Sequence, residues 1–475
     1  MNLLPTFAAP AALALALSAA AQTATTVTVH PGDLRQEFQG MGCGAIFYEA
    51  HITSLGANGR AAEQEKLYDD MFKNVRTDLL QVMIRHDHEP RNDNDDPYTP
   101  AFAPEHFDYC RHPLEIAAAA KKRLPGLKLH AVLYTPPPWM KTNNDPSAGG
   151  KARATIKPGL DLEVGEYIWA FLQHMSRKGQ PIDYLSICNE PDWEHDQPGY
   201  FLTGERHAEL FKTIAGYLDE MARRHPEVPN PKLVAPNMLS AVDTSERFLP
   251  MTLAAAGDQV DIVGNHDYDR RGHRWAKMRQ VAGDRPVWVT EYCFNGRDES
   301  PGLIRSAGEF WLAMTEAFND GVNVWMAYDW VYPPRQGGEA LIHLGWGREY
   351  TLTKIYHGFR QWCAPLRPGM RVARSEVTGQ FASGISQAGV KASAFRSADG
   401  RTLVVHIAAV QDPDADLEIR LGAPFDNARA RLWRTSREED AVELPSQPLS
   451  SGLLTTRLPG RALLTLRLDL PSGTP

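Results

Sequence analysis

The chain has 475 residues with a formal net charge of −8, and 43% of its residues are hydrophobic. Such a length accommodates two or three domains, or one barrel of about 250 residues with an accessory module. A charged fraction of 23% is ordinary for a globular protein and excludes disorder or coiled coil as the main body. The balance of 50 basic and 58 acidic residues argues against a nucleic-acid partner. No internal apolar stretch reaches the roughly 18 residues of a membrane span.

The N-terminal residues 1–22 depart from this patterning. They carry no charged side chain, consist mostly of Ala and Leu, and end in small residues suited to cleavage near residues 19–22. We therefore expect a signal peptide and a secreted or periplasmic protein. A disordered or anchoring leader is the alternative, since no Lys or Arg precedes the apolar run.

The cysteines give no metal-binding pattern. Their number is odd, their spacing is irregular, and no CxxC or Cys/His cluster suggests zinc. An oxidising compartment would permit up to two disulfides, which the sequence cannot pair. We interpret the cysteines as small buried hydrophobic residues. They are Cys43, Cys110, Cys188, Cys293 and Cys363.

Eight short apolar runs alternate with longer helical patterns between residues 38 and 362. The runs are rich in Val, Ile, Leu and aromatic residues and lack strict alternation, which is typical of strands buried on both faces. They occupy residues 38–47, 79–85, 127–134, 182–189, 232–236, 260–265, 286–292 and 322–328.

Helical patterns lie between these runs, among them residues 163–178, 205–224 and 303–319. Eight β-α repeats predict a (β/α)8 TIM barrel, an α/β fold, over residues 38–362. An open doubly wound sheet is the alternative. That fold would favour a Gly-rich phosphate loop after the first strand, and the GMGCGA segment at 40–45 lacks the spacing of such a loop.

The pattern changes after residue 362. Residues 390–410 contain two alternating strands around an Asp-Gly turn, and further short strands separated by Pro, Gly, Asp and Ser follow. They predict an appended antiparallel β-sandwich domain over residues 363–475. The early segment 24–37 also alternates, and we expect it to add a strand to the same sandwich.

Two glutamates stand where predicted barrel strands end. Glu190 follows the fourth strand in the segment CNEPDW, and Glu291 closes the seventh strand in VTEY. The active site of such a barrel lies at the C-terminal ends of its strands, and strands four and seven are nearly opposite each other. A facing pair of carboxylates is the arrangement that glycoside hydrolysis needs. A salt bridge at the strand end is the alternative for either glutamate alone.

Other strand ends carry polar and aromatic side chains. Aromatic rings suit the apolar faces of sugars, and Arg, Asn and His suit hydroxyl and carboxylate partners. Core packing for Trp139 and a plain ion pair for Arg85 are equally acceptable interpretations. The residues concerned are Arg85, the segment 134–139, His266, Asp267, Tyr268 and Trp330.

Four segments carry a family resemblance. They are TPPPWMKTNN (135–144), SICNEPDW (186–193), NHDY (265–268) and WVTEY (288–292). Together with the strands after residue 390, they resemble glycoside hydrolases of clan A, and family 30 most closely. The resemblance covers residues 27–470 and implies a retaining glycoside hydrolase that needs neither a metal nor an organic cofactor.

The resemblance implies a role for each matching residue. Glu190 would be the general acid/base and Glu291 the nucleophile, with carboxyl groups about 5–5.5 Å apart. The charge of Glu291 would raise the pKa of Glu190, and the pKa would fall once Glu291 carries the sugar. Arg85 and Tyr268 would hold Glu291 ionised and aimed.

The remaining implied roles concern the sugar. Asn189 would bond the 2-hydroxyl group, His266 would belong to the same network, and Trp139 would contact the substrate. Trp330 would form the floor of the subsite. The eighth strand, VNVWMAYDWVYP, departs from the family pattern, so Trp325 is the alternative for that floor.

Two charged segments allow more than one interpretation. The loop RHDHEPRNDNDDP contains Asp87, His88 and the acidic segment 93–96, which suits a solvated loop, a substrate rim or a calcium-binding loop. The segment 270–274 contains three arginines, which suits contact with an acidic sugar or the start of a helix.

Substrate choice does not follow from the fold. We expect a monomer that cleaves a polysaccharide of the xylan or β-glucan type. An exo-acting β-glycosidase on oligosaccharides or glycolipids and a non-catalytic carbohydrate-binding protein are alternatives. A metal-dependent barrel hydrolase would need converging ligands, for which His86, His88 and His266 are the candidates.

Overall fold

A computed structural model of the chain describes residues 24–269, 272–294, 304–334, 338–384 and 387–470. The expected signal peptide, residues 1–22, and Arg270 and Arg271 lie outside the described residues. None of the helices described combines the length and the apolar character that crossing a bilayer requires.

The first strand, β1 (Thr25–Glu37), belongs to an outer sheet, and the next eight strands close into a parallel barrel in chain order. Each predicted apolar run overlaps one barrel strand. The inward-facing side chains of these strands fill the interior of the barrel. The closed barrel confirms the predicted (β/α)8 fold and excludes the doubly wound sheet. Its strands are β2 (Gly40–Gly44), β3 (Leu79–Ile84), β4 (Lys128–Leu133), β5 (Tyr184–Ser186), β6 (Lys232–Pro236), β7 (Ile262–His266), β8 (Val287–Glu291) and β9 (Val324–Ala327).

Helices surround the barrel and bury their apolar faces against its strands. Two of them adjoin π-helical segments, Asp69–Asn74 after α2 and Thr244–Phe248 after α6, and short 3-10 turns lie in the loops. The helices are α1 (Glu49–Ala57), α2 (Ala61–Tyr68), α3 (Arg111–Arg123), α4 (Asp161–Arg177), α5 (Gly204–Arg224), α6 (Ala241–Asp243), α7 (Leu249–Ala256), α8 (Arg274–Ala282), α9 (Ile304–Asn319) and α10 (Lys354–Cys363).

A small sheet covers one side of the barrel mouth. Its strands β10 (Val331–Tyr332), β11 (Ile342–Leu344) and β12 (Tyr350–Leu352) lie between β9 and α10. This excursion holds Tyr332 and Glu339 above the end of the eighth barrel strand.

The C-terminal strands form a nine-stranded sheet around a second hydrophobic core. As expected, β1 joins this sheet, antiparallel to one neighbour and parallel to another. The predicted Asp-Gly hairpin is formed by the second and third C-terminal strands. The strands are β13 (Arg371–Thr378), β14 (Val390–Arg396), β15 (Thr402–Ala409), β16 (Ala415–Leu421), β17 (Arg429–Thr435), β18 (Val442–Pro448), β19 (Leu453–Leu458) and β20 (Ala462–Asp469).

All five cysteines are buried, and none of them forms a disulfide. This matches their interpretation as small hydrophobic residues and leaves neither of the two permitted disulfides formed.

Candidate active site

The barrel places Glu190 and Glu291 at its C-terminal mouth. Glu291 is the last residue of β8, and Glu190 follows β5 in a tight turn where its φ is 45°. Their residues are only 6% and 5% exposed. Both carboxyl groups are therefore largely shielded from water, and to a similar degree.

His266 bridges the two glutamates. It is the last residue of β7 and is fully buried. Its Nδ1 lies 2.7 Å from Oε1 of Glu190 and 3.5 Å from Oε1 of Glu291. One carboxylate oxygen of each glutamate and the imidazole nitrogen lie within 4.8 Å of one another. The two carboxyl groups are therefore close enough to interact with the same imidazole nitrogen.

Two tyrosines hold the carboxylate of Glu291. Tyr134, directly after β4, donates its hydroxyl to Oε2 at 3.0 Å, and Tyr268 donates to Oε1 at 2.9 Å. Hydrogen bonds to the ionised form favour it, so both phenols lower the pKa of Glu291 and fix the direction of its oxygens.

The surroundings raise the pKa values of Glu190 and Glu291 by different causes. Burial, followed by the charge of Asp192, raises the pKa of Glu190 to about 8. Burial raises the pKa of Glu291 to about 7. The charge of Glu190 raises this pKa further, whereas His266 and the two tyrosines lower it. The sequence prediction assigned the rise at Glu190 to the charge of Glu291. The structure corrects that cause, because removal from water and Asp192 are responsible.

The mouth encloses a cavity of about 310 Å³. Asn189 lines it with its Oδ1 buried and without a hydrogen-bond partner among the described residues, so the amide is available to a bound molecule. The cavity lining combines aromatic rings with carboxylates and neutral polar groups, which suits a sugar. The other lining residues are Phe47, Tyr134, Glu190, Trp193, His195, Gln197, Pro198, Leu239, Tyr268, Glu291, Cys293, Tyr328, Tyr332 and Glu339.

The expected contact between Arg85 and Glu291 is not formed, so that prediction is wrong. The guanidinium of Arg85 donates to Asp87 at 2.9 Å and lies over the ring of Tyr109. Arg85 follows the end of β3, but its side chain turns toward the adjacent acidic loop. Tyr134 occupies the place at Glu291 that was expected for the arginine.

Trp139 also differs from its expected role in substrate binding. Its indole N–H donates to the backbone carbonyl of Glu89 at 2.9 Å, and its ring packs on the barrel core. Trp139 does not line the cavity. It ties the loop after β4 to the loop after β3.

Neither tryptophan proposed for the subsite floor lines the cavity. Trp325 packs outward on Phe310 and Phe359 of the surrounding helices, and Trp330 is buried against Phe72. Side chains alternate between the barrel interior and the helix layer along a strand, so a residue one position away points elsewhere. Tyr328, which lies between the two tryptophans in the chain, does line the cavity.

The acidic loop after β3 is internally bonded. Asp93 accepts the backbone N–H of Ala101, and Asp96 accepts that of Tyr98. His88 is buried in the core, where it stacks on Tyr167 at 3.6 Å. These contacts make the segment a structured polar loop, and His88 is a core residue rather than part of its rim.

The described part of the basic segment 270–274 does not face the cavity. Arg274 is fully buried and donates to Asp267 at 2.9 Å. This ion pair anchors the start of α8, so the helix-start interpretation holds for Arg274.

Among the described acidic, histidine and cysteine side chains, one group of three brings its donor atoms close enough to hold a metal ion. It consists of Glu190, His266 and Glu291. His86 and His88 do not belong to it. The absence of a metal therefore stays a prediction, and the same three residues would be the ligands if it is wrong.

The sequence analysis missed several cavity residues. Tyr134 was detectable, since it directly follows an apolar run, but its role was not assigned. Trp193 and His195 stack 4.5 Å apart on the loop after Glu190. Tyr332 lies on β10 and Glu339 lies between β10 and β11, and no apolar run in the sequence predicted this small sheet.

No protein-family profile and no curated protein matches the chain. Solved structures do. An endoxylanase of glycoside hydrolase family 30 from Clostridium papyrosolvens C71 aligns with 18% identity and a TM-score of 0.70, over 94% of this chain and 100% of its own. The catalytic domain of family 30 xylanase C from Talaromyces cellulolyticus aligns with 16% identity and a TM-score of 0.72, over 94% and 100%.

An endo-β-1,6-glucanase also aligns, with 14% identity and a TM-score of 0.69, over 94% of this chain and 93% of its own. Alignments of this length include both the barrel and the outer sheet. The chain therefore has the fold of the clan A glycoside hydrolases of family 30.

Proposed function

We propose that this protein is a retaining glycoside hydrolase that cleaves β-glycosidic bonds by double displacement. The observation that carries the proposal is the buried pair of Glu190 and Glu291, bridged by His266 at the mouth of the barrel. The surroundings of the two groups support the assignment of roles, since two tyrosine hydroxyls favour the ionised form of Glu291, whereas burial and the charge of Asp192 favour the protonated form of Glu190.

In the first step, a carboxylate oxygen of Glu291 attacks the anomeric carbon. The bond from that carbon to the leaving oxygen breaks, and the leaving oxygen takes the proton of Glu190. The products are a glycosyl ester on Glu291 and the released alcohol. Tyr134 and Tyr268 keep the attacking carboxylate aimed until the ester forms.

In the second step, the ionised Glu190 takes a proton from water. The resulting hydroxyl oxygen attacks the anomeric carbon, and the ester bond to Glu291 breaks. Glu190 has given its proton to the leaving group, so it enters this step ionised and able to act as the base. In this proposal, Asn189 holds the sugar 2-hydroxyl during both steps, which is supported by its position in the cavity lining.

For the substrate, we propose a polysaccharide of the xylan or β-glucan type. The structurally similar proteins include two xylanases and an endo-β-1,6-glucanase. Trp193 is 38% exposed at the cavity rim, where an aromatic ring suits a further sugar of a chain. Exo-action on oligosaccharides or glycolipids is the alternative within the same mechanism.

We further propose that the protein is exported, because its N-terminal segment is apolar. Detection of the protein in the periplasmic fraction or in the medium would test this.

The deciding experiment is mass-spectrometric product profiling on xylan, β-1,3-glucan, β-1,6-glucan and aryl β-glycosides, with Glu291→Gln as the matched inactive variant. We expect oligomers from the wild type and a loss of about 10³-fold or more in the variant at unchanged melting temperature. Retained activity in Glu291→Gln refutes the nucleophile. Tight sugar binding without turnover on the panel would favour the non-catalytic binding protein.

A metal-dependent hydrolase is the second candidate, because Glu190, His266 and Glu291 bring three donor atoms within 4.8 Å. A carboxylate bound to a metal is not free to act as a nucleophile, so the two mechanisms exclude each other. Exhaustive chelation leaves double displacement intact and abolishes metal-assisted hydrolysis.

A further inference from the structure

A second concave site lies on the far side of the molecule. A cavity of about 370 Å³ is bounded by α10 and by the sandwich strands β17 and β20, and Asn74, which precedes β3, completes its wall. A wider groove of about 700 Å³ continues from it along β17, β18 and β20. The glutamates lie at the C-terminal ends of the barrel strands, whereas Asn74 precedes the N-terminal end of one. The two sites share no lining residue.

The cavity and groove together are rich in arginine. Arg431 and Arg467 line both parts, Arg360 lines the cavity and Arg429 lines the groove. A chain with a net charge of −8 concentrates four guanidinium groups here. Local charge of this kind attracts anions even on an acidic protein.

Only part of this charge is neutralised. Arg431 pairs with Glu443 at 2.9 Å, and Arg467 pairs with Asp469 at 2.9 Å. Arg360 donates to the carbonyl of Asp440 and Arg429 to Ser446, and the described residues show no ion pair for either of them.

The groove favours a chain-like organic anion over a simple ion. Its cavity falls in the ~300–1,000 Å³ range of sites that hold small organic ligands, and the connected groove extends it. Trp433 lines the cavity with the guanidinium of Arg431 over its ring at 4.9 Å. An indole beside guanidinium forks matches a sugar that carries a carboxylate.

Charge density decides between two polyanions. Nucleic acid carries about one charge per 1.7 Å of duplex, and an acidic protein repels it strongly outside the groove. A uronic acid polymer carries one carboxylate per sugar, a lower charge density that the acidic remainder of the protein repels less.

We propose that this arginine groove, lined by Arg360, Arg429, Arg431, Arg467 and Trp433, is a non-catalytic binding site for uronate-containing polysaccharide. The site goes beyond the proposed hydrolysis and does not depend on it, because binding is measured without turnover. It would hold the protein on an acidic polymer while the catalytic mouth stays free.

The test is calorimetric titration of the full chain with tetragalacturonate at low salt, with cellotetraose as the neutral probe. Arg431→Gln is compared with Arg420→Gln, since both arginines lie on sandwich strands, pair with one glutamate and have 55% and 54% exposed side chains. We expect tetragalacturonate to bind the wild type and Arg420→Gln alike, and Arg431→Gln about tenfold more weakly. Arg360→Gln provides a second variant should Arg431→Gln fold poorly.

Three outcomes would overturn the proposal. They are equal affinity of wild type and both groove variants for tetragalacturonate, equal affinity for cellotetraose, and tighter binding of a single-stranded DNA 12-mer. Sulfate that binds as well as tetragalacturonate would show a simple anion site and would also refute the saccharide class. Turnover of an aryl glycoside, tested separately, is expected to be unchanged in Arg431→Gln.

Discussion

At the scale of single residues, the catalytic pair depends on which carboxyl holds the proton. The active form needs Glu291 ionised and Glu190 protonated. With pKa values of about 7 and about 8, this form is most populated between those two pH values. The acid limb of a pH–rate profile then reports chiefly the ionisation of Glu291 and the alkaline limb chiefly that of Glu190, although the two groups interact.

Asp192 offers a way to move one limb only. Its charge raises the pKa of Glu190, so Asp192→Asn is expected to lower that pKa and shift the alkaline limb of kcat/KM to lower pH. The acid limb, set by Glu291, should stay in place. The measurement is kcat/KM from pH 5 to 10, and an unshifted alkaline limb would show that burial alone sets the pKa of Glu190.

Tyr134 controls the opposite limb. Its hydroxyl stabilises the ionised form of Glu291, so Tyr134→Phe should raise the pKa of Glu291 and move the acid limb upward by about one pH unit. Tyr332→Phe is the control, because that phenol lines the same cavity and bonds to Tyr328 instead. A change of KM without a shifted limb in Tyr134→Phe would contradict the positioning role.

The strand-end rule explains which site residues the sequence predicted. It located Glu190, Glu291, His266 and Tyr268, because the backbone alone places such residues at the barrel mouth. It was wrong for Arg85 and Trp330, since rotamers and neighbouring loops decide where a long side chain points. Asp87, two residues further along the chain, offers Arg85 a closer partner than Glu291.

At the scale of elements, helix α4 carries an unusual buried acid. Glu166 is fully buried, and three other acidic side chains, those of Glu89, Asp93 and Glu163, lie close enough to raise its pKa. Burial, Asp93 and Glu163 raise its pKa to about 9. Glu89 on the facing loop is buried with a pKa raised to about 9 for the same main reason.

Such a carboxyl makes stability fall with rising pH. The folded protein keeps a proton that the unfolded chain releases above its ordinary pKa of ~4.3, so stability is lost between about pH 4.3 and the folded value. Glu166→Gln should remove this loss and stabilise the protein by roughly 1–4 kcal/mol at pH 8, with little gain at pH 5. Thermal unfolding at both pH values measures it.

The control for that prediction is Glu209→Gln on α5, whose side chain is 71% exposed. We expect no gain at either pH. An equal gain for both variants would indicate a general charge effect, and a gain at pH 5 as large as at pH 8 would exclude the proton linkage.

The elements themselves were largely predictable. Parallel strands buried on both faces give continuous apolar runs, and seven of the eight barrel strands lie within the predicted runs, while β7 extends one residue beyond its run to His266. The small sheet was not predicted, because strands of two and three residues leave no periodic signal. Its residues Tyr332 and Glu339 were therefore missed together.

At the scale of the whole molecule, the barrel and the nine-stranded sheet share an aromatic interface. Trp362 of α10 stacks on His406 at 4.2 Å and meets Trp311 edge-on at 5.0 Å. Phe395 of β14 closes the cluster from the sheet side. Strand β1 also precedes the barrel in the chain, so the sheet requires both chain ends to assemble.

We therefore expect the barrel and the sheet to unfold as one unit. Trp362→Ala should lower the free energy of unfolding by about 3–5 kcal/mol, because it leaves a cavity in an interface that both parts use. Trp346→Ala, whose residue is 59% exposed, should cost little. Differential scanning calorimetry checks this. We expect one unfolding transition in the wild type and one transition at a lower temperature in Trp362→Ala. Two transitions, with one left unshifted in the variant, would show that the barrel is stable without its sheet.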